Sequence, residues 1–213
     1  YQMRILELYG QEFARLRGNA LIEAILSSEG RTLIAEVEGI SSSAPYGYDR
    51  HANGAEYSAA FGADLIIVNN ATPSLPGPVI SGCVEDFSPS IAKQYIQAGA
   101  DGVIIPVPGT VPGLTENAAQ AFAYTAHEEG GIVLSSITTS QEGSDIETIR
   151  RLALSAKRIG ADVHHISTAG YPFGSPPPEN LYAYSVAIRG IRHTWNRMSR
   201  NLRNHWGNSS YVN

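Results

Sequence analysis

Apolar residues recur along the chain in short unbroken runs, each entered through a glycine-bearing turn. F-G-A-D-L-I-I-V-N at 61–69, A-G-A-D-G-V-I-I-P at 98–106 and I-G-A-D-V-H-H-I-S at 159–167 share one form, and E-G-G-I-V-L-S-S at 129–136 is a weaker version of it. A glycine at a helix C-terminus, a tight turn and a run without polar alternation describe a return from helix into a strand covered on both faces. Gly99, Gly130 and Gly160 stand about 30 residues apart, one βα unit each. That spacing predicts parallel strands, in a barrel or an open doubly wound sheet.

Six strands are predicted: Thr32 to Val37, Leu65 to Asn69, Val79 to Val84, Gly102 to Val107, Ile132 to Ile137 and Val163 to Ser167. Between the second and third lies only N-A-T-P-S-L-P-G-P, shorter than the about 10–12 residues that a crossover helix with its loops requires. The expected architecture is therefore an α/β, TIM-type (βα) barrel of parallel strands, short of eight βα units. Either the barrel is reduced or a segment near Asn70 to Pro78 is absent. Asn19 is the expected N-cap of a short helix carrying Leu21, Ile22, Ile25 and Leu26 on one face, closed by Gly30. A second short helix is expected over Glu56 to Phe61. Ser88 with Pro89, Thr115, and Ser144 with Asp145 open later helices, the last running to Arg158.

A final helix starts near Pro178 and continues past Gly190. Ile188, Ile191, Trp195, Met198, Leu202 and Trp206 step by three or four and form one stripe, which places Arg192, Arg197, Arg200 and Arg203 on a solvated face. The stripe needs cover, from its own barrel or from another subunit, so a homo-oligomer through the C-terminal helix is expected. The chain reads as one domain over 1–213 with a helical extension at 190–213.

Composition narrows the partners. With 213 residues and 43% hydrophobic content, one core suffices, and a formal net charge of −5 gives no general attraction to nucleic acid or an anionic membrane. A small-molecule ligand is the expectation. A single cysteine, Cys83, rules out an internal disulfide framework and fits a reducing, cytoplasmic setting. No stretch approaches the roughly 20 apolar residues of a membrane span. The chain begins at Tyr1 rather than Met, which points to sequence upstream of it.

In a parallel barrel the chemistry sits at the C-terminal ends of the strands. The residues that fall there are Glu36 and Glu38, Asn69 and Asn70, Cys83, Glu85 and Asp86, the loop at 106–115, the segment at 135–145, and His164 to Thr168. Adjacent strand residues point to opposite faces, so at most one of His164 and His165 looks inward. The inward histidine is a general base, a metal ligand beside Glu36 or Glu85, or a buried side chain bonded to a neighbouring strand. For Glu36, Glu85 and Asp86 the alternative role is an ion pair or a helix cap. A carboxylate, histidine and carboxylate together suit Mg²⁺ or Mn²⁺, although no compact ligand motif is present. Cys83 reads as a small buried residue. The loops P-V-P-G-T-V-P-G-L-T and T-A-G-Y-P-F-G-S-P-P-P-E-N combine glycine with a following helix and suit an anion held by main-chain N–H groups. Gly109, Thr110, Gly113, Thr168 and Gly170 are the candidates there. Ser140, Gln141 and Glu142 add side chains able to orient a polar substrate.

The strings F-G-A-D-L-I-I-V-N, A-D-G-V-I-I-P-V-P-G-T-V-P-G, T-S-Q-E-G-S-D, G-A-D-V-H-H-I-S-T-A-G-Y and P-E-N-L-Y-A-Y-S-V-A-I-R-G-I-R-H-T cover most of the chain. Together they resemble a bacterial TIM-barrel family whose members are labelled phosphoenolpyruvate-phosphonomutase-like or haloacid-dehalogenase-like hydrolases. The resemblance implies a TIM-type barrel and carries no activity across. Family members have additional strands between the regions matching Asn69 and Val79, and write G-D-A-G where this chain has S-T-A-G at Ser167 to Gly170. The Asp-rich Mg²⁺ motif of phosphonomutases is not visible, so the likeness to those enzymes stays at the level of fold. The expected function is proton-transfer chemistry, lyase- or mutase-like, on a small anionic metabolite, either phosphorylated or a keto or enol carboxylate. His165 or His164 would act with Glu36, and Glu85 stands as a further catalytic candidate. The alternatives are a binding or regulatory barrel without turnover and a hydrolase on the same scaffold.

Overall fold

The computed structural model describes residues 3–8, 10–38, 54–69, 80–82, 86–168 and 175–206. Its strands are β1 (Thr32–Glu38), β2 (Leu65–Asn69), β3 (Ile80–Gly82), β4 (Gly102–Pro106), β5 (Ile132–Ile137) and β6 (Val163–Ile166). All five pairings are parallel, in the order β2-β1-β6-β5-β4-β3. The first strand lies beside the last, while β2 and β3, consecutive in the chain, are the two edges. Cutting a closed barrel between its second and third strands gives this order. The segment 70–79 that joins those edges lies outside the described residues.

The Gly-Ala-Asp turns have a physical reason. Gly62, Gly99 and Gly160 take φ of 111, 102 and 91°, a conformation other residues adopt only with strain. The aspartate then binds the preceding strand in space. Asp64 Oδ2 accepts from the Leu33 amide at 2.9 Å, and Asp162 Oδ2 accepts from the Val133 amide at 2.8 Å. Their own amides donate back to the carbonyls of Leu33 and Val133. At Asp64 and Asp162 the turn therefore fixes strand register as well as direction.

The helices are α1 (Gly10–Arg15), α2 (Asn19–Leu26), α3 (Gly54–Ala60), α4 (Pro89–Gln97), α5 (Glu116–Glu128), α6 (Ile146–Arg158) and α7 (Pro178–Trp206). Thr115 and Asp145 cap α5 and α6 by accepting from Ala118 and Thr148 amides. Asn19 is the first residue inside α2, with Gly18 at the cap position. One face of the sheet packs on α4 to α7, through Leu33, Ile105, Val133, Ile137 and Ile166. On the other face Ile34, Ile132, Leu134 and Val163 meet Ile5, Leu8, Ala24 and Ile25 from the N-terminal segment. Strands buried on both sides explain the continuous apolar runs.

The last helix departs from expectation. At Gly190 (φ 77°, ψ 165°) the backbone leaves helical geometry, so 178–189 and 191–206 do not share one face. Ile188 is buried, whereas Ile191 and Trp195 are 49% and 56% exposed. The break also turns Arg197 inward, so it is not part of a solvated basic face. Its guanidinium donates to the carbonyls of Leu8 and Ile5, and Nε lies 2.6 Å from Asp64 Oδ1 with an angle outside hydrogen-bond geometry. Arg189 reaches Asp64 Oδ2, the Gly62 carbonyl and Ser185 Oγ. Two arginines on one buried carboxylate thus tie the C-terminal helix to the N-terminal segment. Arg192 is exposed, and the side chains of Arg200, Leu202, Arg203 and Trp206 lie outside the described residues. No helix among the described residues is long and apolar enough to cross a membrane.

Candidate functional site

The in-register pairing of β5 with β6 sets Ser135 beside His164 and Ser136 beside His165. Because side chains alternate, the two pairs face opposite ways. On the face shared with Ile34, Leu134 and Val163, one step further toward the strand C-termini, lie Glu36, Ser136 and His165. This face changes from apolar at the N-terminal end to polar at the other. Ser136 Oγ is 2.7 Å from His165 Nδ1, and His165 Nε2 is 3.3 Å from Glu36 Oε2. Ser136 and His165 are only 4% and 7% exposed. The tautomer that satisfies both contacts has Nδ1 accepting from the serine hydroxyl and Nε2–H donating toward the carboxylate.

A fourth group comes from the loop after β5. Glu142, in the 3-10 turn Gln141–Gly143, is 1% exposed, and its Oε2 has no hydrogen-bond partner among the described residues. Burial pushes its carboxyl above the ordinary carboxylate range, partly offset by the amides of Glu142 and Ser140. The charge of Glu36 pushes it the same way, and His165 acts oppositely, so the three groups lie within electrostatic reach of one another. The turn is held firmly. Asn180 Nδ2 donates to the carbonyls of Glu142 and Ser144 at 2.8 and 2.9 Å. Ser140 sits in the left-handed region at φ 77°, a costly conformation for a residue with a Cβ and one that concentrates at functional sites.

His164 does not join this site. On the helix-facing side, its Nε2 donates to the Gly30 carbonyl at 3.0 Å, while Nδ1 lies 3.1 Å from Tyr184 Oη and 3.4 Å from Ser135 Oγ. Burial lowers its pKa to about 4, more than the Gly30 carbonyl restores, so the ring is neutral at ordinary pH. Tyr184 Oη, equally buried, is pushed upward. His164 is part of the packing layer, a correction to its place among the proton-transfer candidates.

The loop after β4 is turned inward on itself. The Thr110 amide and hydroxyl both bond the Val107 carbonyl, at 3.0 and 2.8 Å, so neither is presented to an anion. Gly109 (φ 99°) lies near Leu152 of α6, and Gly113 (φ 80°) carries a left-handed turn. Thr139 Oγ1 is within bonding distance of the Thr110 carbonyl and Gln141 Oε1, which ties this loop to the turn bearing Glu142. Thr168, just past β6, is buried. Asp86 Oδ1 accepts from the Ser88 amide ahead of α4. Glu85, Gly170, Cys83 and Asn70, and the side chains of Glu38 and Asn69, lie outside the described residues. Among the described residues no three His, Cys, Asp or Glu side chains are grouped to hold a metal ion.

A family model described as Domain of unknown function (DUF7916) matches residues 6–86 and 77–204. The chain belongs to the DUF7916 family. The two matched stretches of the DUF7916 domain meet at 77–86, the region containing β3 and the edge where the sheet opens. Comparison with curated proteins gives no match.

Proposed function

We propose that this DUF7916 chain is a reduced TIM-type barrel whose mouth carries out proton transfer on a small anionic metabolite bearing a carbonyl or enol. The observation that carries the reading is the line Ser136–His165–Glu36, with contacts of 2.7 and 3.3 Å in a buried setting at the strand tips. The barrel reading is supported by the pairing of first strand with last. In this reading His165 takes a proton as the substrate bond to it passes its electron pair to the adjacent carbonyl. Glu36 stabilises the imidazolium that results, and Ser136 holds the ring's orientation. Burial favours the protonated form of Glu142, which carries less negative charge and so favours an anion beside Glu36. The Ser140–Gln141 turn is the anion-binding candidate nearest these groups. The exposed Ile191 and Trp195 support self-association through the C-terminal helix, and the single cysteine supports a cytoplasmic setting.

The test is exchange of carbon-bound protons in D₂O, followed by proton NMR with pyruvate, oxaloacetate and phosphoenolpyruvate as probes. Wild-type protein should catalyse exchange or turnover of at least one. His165→Asn and Glu36→Gln should lose it by about 10²–10⁴-fold with unchanged melting temperature. Binding of a probe without exchange in wild-type protein would instead establish a non-catalytic ligand-binding barrel.

A further inference from the structure

We infer that Ser136 is a nucleophile, and that the Ser136–His165–Glu36 line accepts an acyl group from a carboxylic ester. The inference rests on the relay proposed above and extends it to covalent chemistry. Acyl transfer through a hydroxyl needs a base on the hydroxyl hydrogen and a third group that orients the base and stabilises its cation. Both conditions are met here by side chains of three neighbouring strands. The 2.7 Å contact of Ser136 Oγ with Nδ1 is within hydrogen-bond reach, and Glu36 stands at the ring's other nitrogen. The ring is turned over relative to the usual serine hydrolase, with the roles of its two nitrogens exchanged. Such constellations are recognised by geometry and roles rather than by atom name. Ser136 and His165 are directly in register on β5 and β6, so rigid backbone holds the pair. Ser135 and His164, in the same register on the other face, stand 3.4 Å apart with no carboxylate among the partners shown for either residue.

The reaction balances without an added cofactor. Ser136 Oγ attacks the ester carbonyl carbon, its O–H bond breaks, and the proton passes to Nδ1 while the carbonyl π pair moves onto oxygen. That oxygen needs a donor; the buried Oε2 of Glu142 has no hydrogen-bond partner among the described residues, and burial favours the protonated form that could donate. Collapse re-forms the carbonyl and expels the alcohol oxygen with the bond pair. The imidazolium supplies its proton, leaving an acyl-serine. Water then attacks this acyl group, giving its proton to His165; collapse breaks the bond to Ser136 Oγ, which leaves with the bond pair and takes that proton back from the imidazolium, releasing the carboxylic acid.

p-Nitrophenyl acetate tests this without knowledge of the natural ester. Full-length protein is mixed with the ester, quenched in acid within seconds, and analysed by peptide mass spectrometry. One acetyl group should appear on the peptide containing Ser136. Ser136→Ala should carry none there, Ser136→Cys should still acylate, and His165→Asn should acylate about 100-fold more slowly. Absence of acetyl at position 136 in both wild type and Ser136→Cys, whatever is acetylated elsewhere, overturns the inference. The proton-exchange reading fails separately, because exchange is read on wild-type protein with keto and enol acids and with no ester present. Exchange in wild-type protein with no acylation would leave the Ser136–His165–Glu36 line standing as a proton-transfer site and remove the nucleophile.

Discussion

Two Ser–His pairs occupy the same register on the same two strands, one pair on each face of the sheet, and they end in different chemistry. On the helix-facing side, His164 has a carbonyl at one nitrogen and two hydroxyls near the other. Nothing in that set favours a proton on both nitrogens, and full burial holds the ring neutral, with its pKa down at about 4. On the inner side the serine closes to 2.7 Å, and the third partner is a carboxylate. A carboxylate favours the cation that proton transfer creates; a carbonyl with no charge does so far less. The pair alone therefore does not define a site. What stands at the far nitrogen does.

The largest effect expected from this comparison is on chemistry. His165→Asn should lower proton exchange by about 10²–10⁴-fold while the melting temperature stays near that of wild type. His164→Asn should leave exchange per folded molecule within a few-fold. Equal losses of exchange per folded molecule in the two variants would abolish the distinction between the faces.

Stability should not divide the two faces in the same way. His164→Phe fills the space but strands the Gly30 carbonyl and removes a partner from Tyr184 Oη, and an unsatisfied buried group costs about 1–3 kcal/mol. Urea unfolding should register this as a lower midpoint with unchanged slope. His165→Phe likewise removes a partner from the buried Ser136 hydroxyl and from the Glu36 carboxylate, and should cost about as much. Glu142→Gln should be neutral or stabilising above pH 4.5, because burial and Glu36 both oppose ionisation of the native carboxyl.

Much of this arrangement is written in residue order. The Gly-Ala-Asp turns announce parallel strands because a positive-φ glycine turns the chain at each return, and at Asp64 and Asp162 the carboxylate bonds back to the neighbouring strand. All six strands and the caps at Thr115 and Asp145 follow from local pattern. Alternation shows that only one of two adjacent histidines looks inward. Which one is settled by the packing of Ile34, Leu134 and Val163 against the N-terminal segment, a contact between distant parts of the chain. Glu142 reads as one of three loop side chains able to orient a polar substrate, but its burial is not legible, since that goes with Asn180, 38 residues later, bonding the carbonyls of the turn. Arg197 reads as solvated because helical periodicity runs unbroken through Gly190 on paper, while the backbone there turns the following segment round. The pairing of Ser136 with His165 needs strand register, which no local pattern contains.

The pH dependence of stability separates the buried histidine from one with a carboxylate partner outside the site. Shifting His164 from an ordinary 6.5 to about 4, at about 1.4 kcal/mol per pH unit, corresponds to an upper bound on the order of 3 kcal/mol. The unfolded chain binds a proton below 6.5 that the native ring refuses until about 4, so stability should fall as pH drops through this window. In His164→Gln that part of the slope should vanish.

His127 should show the opposite sign and the smallest effect. Its Nε2 is 2.8 Å from Asp162 Oδ2, and that hydrogen bond raises its pKa more than partial burial lowers it. A raised native pKa means stability that is fully present below 6.5 and is lost as pH rises through the native value. The side chain is 36% exposed, so solvent screening limits the contribution to under about 1 kcal/mol. Asp162 also accepts the Val133 amide, and His127→Gln leaves that bond in place, so only the titratable part should disappear. Chemical denaturation of His127→Gln and wild type should therefore diverge below neutral pH and converge above it. Divergence in the alkaline direction would mean that the imidazolium is not what Asp162 favours, and that a carboxylate neighbour is not sufficient to set the sign in this fold.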